Sequence, residues 1–177
     1  MEQNIILAET GRLILRRYIE NDLQDLFEYL SDEKVVAYEP YKPMSLEETE
    51  RDLAWRMGTA EMVAVELKDT HKMIGNVYMG KREFASLEIG YVFNQNYWGN
   101  GYAAESCKAL IRNAFANGAH RIYAECDPDN VRSWKLLETL GFRREAHLIQ
   151  NVYFWKDEHQ QPVWKDTYIY AKLHFDR

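Results

Sequence analysis

LEIGYVFNQNYWGNGYAA, residues 87–104, is the stretch of this chain that decides the fold. Apolar residues fall at every second position from Leu87 to Phe93, which predicts a strand with one buried face. Apolar residues then recur at spacings of three and four from Ala104 to Phe115, which predicts a helix that packs one face on the sheet. Gly118 follows at a position where a helix C-terminus favours a left-handed residue. The stretch therefore predicts a strand, a tight turn and a helix.

Two glycines, Gly99 and Gly101, stand between that strand and that helix. They let the backbone turn sharply and leave several N–H groups unpaired at the helix start, a nest that favours an anion such as phosphate. The same letters are compatible with a tight turn that holds no ligand. A dinucleotide fingerprint is a further alternative, with Ala104 in place of the third glycine and Glu125 as the acidic residue. The order of elements argues against it, because a repeated strand–helix alternation is missing.

Composition and charge restrict the classes of protein to which this chain can belong. With 177 residues, 46% of them hydrophobic, the chain is expected to form one globular domain over residues 1–177. Its net charge of −6 argues against a nucleic-acid partner and mildly favours a cationic one. No apolar run approaches the ~20 residues of a transmembrane helix, and residues 1–4 lack the basic start of a signal peptide, so no membrane partner is expected. Cys107 and Cys126 are interpreted as reduced core residues of a cytoplasmic protein, and no metal-ligand spacing is present.

Hydrophobic periodicity and turn residues predict the remaining elements. Strands are expected at residues 10–18, 62–67, 73–79, 86–93, 121–126 and 142–148. Helices are expected after a cap at Asn21 or Asp22, after a capping box of Ser45 and Glu48, and from Asn130 to Leu140. Residues 151–172 are expected to close the chain as a hairpin around a polar loop at residues 156–161. No repeat or linker interrupts this order, which agrees with a single domain.

Four short motifs occur in order along the chain: Arg-Leu-Ile-Leu-Arg at 12–16, Glu-Ile-Gly-Tyr at 88–91, Trp-Gly-Asn-Gly-Tyr-Ala at 98–103 and Trp-Lys-Asp at 164–166. Together with Asn130, Ser133 and Leu140-Gly141-Phe142, this set resembles the GNAT superfamily of N-acyltransferases over nearly the whole chain. The branch that it resembles most contains the ribosomal-protein N-terminal acetyltransferases. The resemblance implies an α/β fold in which a mixed, mostly antiparallel central sheet is splayed at an acetyl-CoA cleft and flanked by helices.

The resemblance also implies where the co-substrate acetyl-CoA binds. Its pyrophosphate is expected on the backbone amides of residues 98–103, where Trp98 replaces the Gln or Arg of the superfamily pattern, so that backbone donors recognise the phosphates. Asn130 is expected to hydrogen-bond the pantetheine arm and Ser133 to lie near the sulfur. The expected cofactor-binding residues are Tyr91, Val92, Phe93, Trp98, Gly99, Asn100, Gly101, Tyr102, Ala103, Asn130 and Ser133.

Acyl transfer to an amine needs a neutral amine, a polarised carbonyl and a proton for the leaving thiolate. Glu88 is the candidate for taking the ammonium proton, because it shares a strand face with Gly90, whose missing side chain leaves space for a ligand. Ser133 is the candidate that protonates the thiolate. The simpler alternatives are that Glu88 only orients the ammonium or is an ordinary surface residue, and that Asn130 and Ser133 only cap a helix. His147 and a water molecule are alternative bases.

The sequence therefore predicts an acetyl-CoA-dependent N-acetyltransferase in which an amine attacks the thioester directly in a ternary complex. The acceptor stays open between a protein N-terminal α-amine and a small amine, and residues 38–44 are expected to form a loop over its site. Residues 150–152 lack the carboxylate that the resemblance implies for the ribosomal-protein branch. The alternative from another class is a non-catalytic acyl-CoA-binding or sensing module. The closing hairpin offers an edge strand for a homodimer, but the oligomeric state is not readable from the sequence.

Overall fold

Residues 5–176 are described by a computed structural model of the chain. Residues 1–4, on which the expectation about a signal peptide rests, lie outside this range. The strands are β1 Ile6–Glu9, β2 Leu13–Arg16, β3 Met62–Leu67, β4 Met73–Lys81, β5 Ser86–Phe93, β6 Arg121–Cys126, β7 Arg143–Val152 and β8 Lys165–Leu173. The helices are α1 Leu23–Leu30, α2 Leu46–Gly58, α3 Tyr102–Ala116 and α4 Val131–Thr139.

The eight strands form one sheet in the order β1-β2-β3-β4-β5-β6-β8-β7. All neighbours in residues 5–176 are antiparallel except β5 and β6, which run parallel. This confirms the expected mixed, mostly antiparallel sheet. It contradicts the dinucleotide-binding alternative, because that fold needs a series of parallel strands joined by helices.

The parallel pair opens after a short contact. β5 pairs with β6 only at Ser86↔Arg121, Leu87↔Ile122 and Glu88↔Tyr123, although both strands continue for several residues beyond this point. From there to Phe93, β5 keeps its ladder with β4 on its other side. The sheet is therefore splayed between the outer halves of β5 and β6, as the resemblance implied.

Helices cover both faces of the sheet, because the strands alternate two apolar faces. One buried cluster joins α3 and α4 to the sheet and includes Cys107, Leu110 and Leu137. The other joins α1 and α2 to the opposite face and includes Leu26 and Leu53. The predicted capping box of α2 is confirmed, since the Ser45 hydroxyl accepts from the Glu48 amide and the Glu48 carboxylate accepts from the Ser45 amide.

Three details of the predicted elements are wrong. Residues 10–18 do not form one strand, because a turn at residues 10–12 separates β1 from β2. Asp22 occupies the N-cap position of α1 without capping it through its side chain, since its carboxylate binds the buried guanidinium of Arg16 at 2.7 and 2.8 Å. The strand expected at 142–148 continues to Val152, so that β7 and β8 together form the closing hairpin. No helix within residues 5–176 is both long and apolar enough to span a membrane.

Candidate active site

A cleft of about 1400 Å³ opens where β5 and β6 separate. Its walls come from these two strands, the starts of α3 and α4, and the segment between α1 and α2. All the cofactor-binding residues expected from the sequence line this cleft, with the exception of Asn100, and Glu88 lines it too. The volume exceeds that of a typical small-molecule site, which leaves room for two substrates side by side.

The turn before α3 has the geometry of an anion nest. Gly99 and Gly101 both have a φ of +80°, in the left-handed region that favours glycine. The first helical hydrogen bond runs from the Glu105 amide to the Gly101 carbonyl at 3.0 Å. The amides of residues 102–104 therefore precede the helical ladder and donate to no protein acceptor within the described chain. These free N–H groups and the positive end of the helix dipole favour an anion at this edge of the cleft.

Trp98 connects the nest to α4. Its indole Nε1 donates to the Phe93 carbonyl at 2.8 Å, and the guanidinium carbon of Arg132 lies 3.8 Å from the centroid of its ring. Arg132 lines the cleft and forms no ion pair with any residue in 5–176. Asn100 instead turns its side-chain amide towards the carbonyls of Tyr97 and Trp98, at 3.2 and 3.3 Å, and so supports the turn. Sequence reasoning missed Arg132, because only the fold brings it over Trp98.

Asn130 and Ser133 lie in the first turn of α4. The Asn130 Oδ1 accepts from the Ser133 amide at 3.2 Å, so Asn130 does cap the helix. The hydroxyl of Tyr91 on β5 donates to the Ser133 carbonyl at 2.9 Å and lies 3.1 Å from the Ser133 Oγ. Burial raises the pKa of Tyr91, which keeps it a neutral phenol. The Tyr91 hydroxyl therefore holds Ser133, a contact between distant elements that the sequence did not reveal.

Glu88 lies at the last residue pair before the strands separate. Its Oε2 accepts from the Arg82 guanidinium at 2.5 Å and lies 3.4 Å from the Tyr123 hydroxyl. No hydrogen bond within residues 5–176 uses its Oε1, and the side chain is 26% exposed. Glu125 of β6 also lines the cleft, and burial followed by the charge of Glu88 raises its pKa. Two carboxylates thus face the cleft from its two diverging strands.

The segment between α1 and α2 adds a further wall. Residues 37–41 line the cleft, as does Arg56 of α2. Within this segment Glu39 is the acidic residue that lines the cleft, and sequence reasoning did not single it out. The sequence did contain a signal for Glu39, because it is a carboxylate between Tyr38 and Pro40 in a segment that was expected to cover the acceptor.

Two residues of β7, the alternative base His147 and Glu145, have structural roles. His147 does not line the cleft, since its Nε2 pairs with the Asp166 carboxylate at 2.7 Å and its ring packs edge-on against Tyr168. The structure therefore does not support His147 as the base. Glu145 pairs with Arg121 and Arg143 at 2.6 and 2.9 Å across β7, the edge strand of the sheet.

The cleft also contains a thiol, that of Cys126. Burial, followed by the charge of Asp127, raises the pKa of this thiol to about 12, so it is protonated at neutral pH and a poor nucleophile. Residues 5–176 contain no group of three His, Cys, Asp or Glu side chains placed to hold a metal ion.

Comparison with known proteins agrees with this geometry. The family model described as Acetyltransferase (GNAT) domain matches residues 12–143. The chain is 34% identical to the protein named Uncharacterized N-acetyltransferase YnaD of Bacillus subtilis, over 93% of this chain and 95% of that protein. It is 28% identical to the [Ribosomal protein uS5]-alanine N-acetyltransferase of Escherichia coli, over 78% of each chain.

Solved structures show the same architecture. The GNAT-family acetyltransferase of Bacillus anthracis superposes with a TM-score of 0.85 at 33% identity, covering 96% of this chain and 98% of that one. The spermidine N-acetyltransferase of Vibrio cholerae, solved with CoA and spermine, shares the fold with a TM-score of 0.77 at 20% identity, covering 94% of this chain and 98% of that one. With the family model matched over most of its length, this chain belongs to the GNAT family of acetyltransferases.

Proposed function

We propose that this enzyme transfers the acetyl group of acetyl-CoA to a primary amine of a cationic acceptor, by direct attack in a ternary complex. The observation that carries the proposal is the split between β5 and β6, which has an anion nest at one edge, the Tyr91–Ser133 pair on its walls and several carboxylates around it. An acyl thioester with a phosphorylated end and a positively charged amine fit these two halves of the cleft.

The pyrophosphate of CoA would lie on the amides of residues 99–103 at the start of α3. Arg132 would add a positive charge beside it, because its guanidinium already stacks on Trp98 at the same edge of the cleft. A charge-assisted hydrogen bond from Arg132 compensates for the Gln or Arg that Trp98 replaces in the superfamily pattern. The phosphates are then recognised by backbone and side chain together.

The pantetheine arm would follow the open side of β5. Residues 89–93 of this strand pair only with β4. The remaining backbone groups of residues 89–92 are therefore free to hydrogen-bond an extended ligand, whereas the Phe93 carbonyl accepts from Trp98. The Nδ2 of Asn130 donates to no acceptor within residues 5–176, because the cap uses only its Oδ1. It is therefore available to the amide carbonyls of pantetheine while it still caps α4.

The thioester would lie near the Ser133 hydroxyl. As the neutral amine attacks the carbonyl carbon, the C–N bond forms and the C–S bond breaks, and Ser133 hands a proton to the departing thiolate. Tyr91 holds Ser133 in place, at 3.1 Å from its Oγ. Transfer through Cys126 is disfavoured by its protonated thiol, which supports direct attack by the amine.

Charge around the cleft favours a cationic acceptor. Asp52 is neutralised by Arg56, Asp127 by Lys165 and Glu88 in part by Arg82. Glu39, Glu125 and Asp129 line the cleft and form no ion pair with any residue in the described range. We propose that Glu88 binds the incoming ammonium through its free Oε1, since its other oxygen is held by Arg82. The names of the spermidine N-acetyltransferase and of the [Ribosomal protein uS5]-alanine N-acetyltransferase make a polyamine and a peptide that begins with alanine the two acceptors to test first.

The test is CoA thiol release from acetyl-CoA with four acceptors: spermidine, a peptide that begins with alanine, ethylamine and taurine, a zwitterion whose amine carries a sulfonate. The account predicts turnover with at least one cationic acceptor and much less with taurine. Turnover only with taurine would contradict the acceptor proposal. Tight acetyl-CoA binding without turnover on any amine would favour the sensing module instead. Ser133→Ala and Glu88→Gln separate the two functions, because only an enzyme loses a measurable rate in them.

A further inference from the structure

Glu39 is a carboxylate of the cleft to which the proposed chemistry has so far given no role. It lies between Tyr38 and Pro40 in the segment that joins α1 to α2, and it is partly buried. Two backbone hydrogen bonds hold this segment in place, from the Glu39 amide to the Val36 carbonyl and from the Met44 amide to the Leu30 carbonyl, both at 2.9 Å. The backbone at Glu39 is therefore held in the cleft wall.

No basic side chain in the described part of the chain pairs with Glu39. Residues 5–176 hold no lysine, arginine or histidine nitrogen within ion-pair distance of it. Arg56 of α2 is the nearby cation, but its guanidinium binds Asp52 at 2.5 Å and the Tyr18 hydroxyl at 3.0 Å. Burial raises the pKa of Glu39 to about 7, against the smaller opposing effects of Arg56 and the Tyr41 hydroxyl. A carboxyl group with a pKa raised in this way can accept a proton near neutral pH.

Glu39 lines the same cleft as Tyr91 and Ser133. Burial is the main cause of the raised pKa of Tyr91 and the charge of Glu39 is a minor one, while the Tyr91 hydroxyl is the one that contacts Ser133. Arg56 from α2 and Tyr41 from its own segment influence the carboxyl of Glu39, and Glu39 in turn influences Tyr91 of β5. Glu88, by comparison, has one oxygen committed to Arg82.

We propose that Glu39 is the general base of the transfer reaction, an inference that rests on the proposed function. The Glu39 carboxylate takes one proton from the acceptor ammonium. The nitrogen lone pair then attacks the thioester carbonyl, so that a C–N bond forms and the C–S bond breaks. The second proton that the nitrogen must lose reaches the thiolate through Ser133, which gives CoA thiol and the N-acetyl product. Glu39 returns its own proton to solvent.

Glu39→Gln tests this role, with Glu33→Gln as the matched control. Glu33 is exposed, lies six residues earlier in the chain and does not line the cleft. General-base catalysis contributes roughly 100-fold or more, so kcat/KM for ethylamine is expected to fall by about that factor in Glu39→Gln and to stay unchanged in Glu33→Gln. The dissociation constant of CoA, measured by calorimetry, is expected to stay unchanged in both variants.

A second acceptor separates proton removal from structural damage. Trifluoroethylamine is largely neutral at pH 7, so it needs no base to start the reaction. The ratio of wild-type to Glu39→Gln rates is therefore expected to be large with ethylamine and close to one with trifluoroethylamine. Equal losses with both amines would overturn the proposal, and so would a Glu39→Gln rate within twofold of wild type. If Glu39→Gln does not fold, Glu39→Asp is measured instead. The Glu39→Asp variant is expected to keep the pH inflection of kcat/KM, and a pH-independent kcat/KM in that variant would overturn the proposal.

The outcome for this residue is distinguishable from the outcome for the proposed function. A wild-type protein that acetylates no amine contradicts the proposed function, and the role of Glu39 with it. A wild-type protein that is active, with a Glu39→Gln variant equally active at every pH, contradicts the role of Glu39 alone.

Discussion

Replacing Tyr91 with phenylalanine tests whether the contact between β5 and α4 serves catalysis. The Tyr91 hydroxyl donates to the Ser133 carbonyl at 2.9 Å and lies 3.1 Å from the Ser133 Oγ. Tyr91→Phe removes both contacts and leaves the ring in place. A partly buried hydrogen bond of this kind contributes about 1 kcal/mol to stability. Once Ser133 loses this anchor, its hydroxyl is free to leave the position near the sulfur, and we expect kcat to fall about tenfold, equivalent to about 1.4 kcal/mol in the barrier.

Tyr170→Phe is the matched control for this prediction. The Tyr170 hydroxyl donates to the Glu138 carboxylate at 2.9 Å, and Tyr170 is buried outside the cleft. Both variants are expected to lower the free energy of unfolding by a similar amount in urea titrations. Only Tyr91→Phe is expected to lower kcat in the thiol-release assay. A Tyr91→Phe enzyme with wild-type kcat, or an equal loss of kcat in Tyr170→Phe, would refute the argument.

Three further predictions follow from other contacts. Arg132→Ala is expected to weaken CoA binding about tenfold in calorimetry and to reduce the salt dependence of that binding, because a charge-assisted hydrogen bond to the phosphates is lost. Lys135→Ala, on the same helix but outside the cleft, is expected to change neither the affinity for CoA nor its salt dependence. Arg16→Met is expected to lower the free energy of unfolding by about 3–5 kcal/mol, because it leaves Asp22 and Glu66 buried without their cation. Arg51→Met, at an exposed ion pair, is expected to lower the free energy of unfolding by less than about 1 kcal/mol. Burial holds the pKa of Glu39 near 7, above its unfolded value of 4.5, so its contribution to stability is present below pH 4.5 and is lost as the pH rises towards 7. The stability of Glu39→Gln relative to wild type is therefore expected to rise between pH 5 and 8 by up to about 3 kcal/mol in urea titrations. A difference that stays constant with pH would contradict the raised pKa.

Much of the fold could be predicted from the sequence because local residue patterns specify it. The alternation of residues 87–93 and the two glycines after it predicted β5, the turn and α3 without reference to the rest of the chain. The errors occurred where a contact over a long distance overrides the local signal. Asp22 looks like a helix cap, but the buried Arg16 attracts its carboxylate. The continuation of β7 beyond Leu148 depends on pairing with β8, which no local pattern specifies.

The candidate site divides in the same way. Motifs identified the nest, Asn130 and Ser133, because their chemistry depends on residues close together in the sequence. The folded chain alone shows which other residues belong to the site, because α4, β5 and the segment after α1 meet at one cleft. These elements bring Arg132, the Tyr91 hydroxyl and Glu39 to that cleft. Glu88 was singled out for its strand face, but the ion pair that occupies one of its oxygens comes from Arg82, in a turn whose conformation the sequence does not specify.

The central claim is that the split between β5 and β6 binds acetyl-CoA and delivers its acetyl group to an amine. The most direct test is to incubate the purified protein with acetyl-CoA and spermidine or an alanine peptide, and to quantify CoA thiol and N-acetylated acceptor in the same sample. The account predicts that both products appear in equal amounts and that neither appears when the acceptor is omitted. A protein that does not bind acetyl-CoA, or that releases thiol without an N-acetylated product, would contradict it.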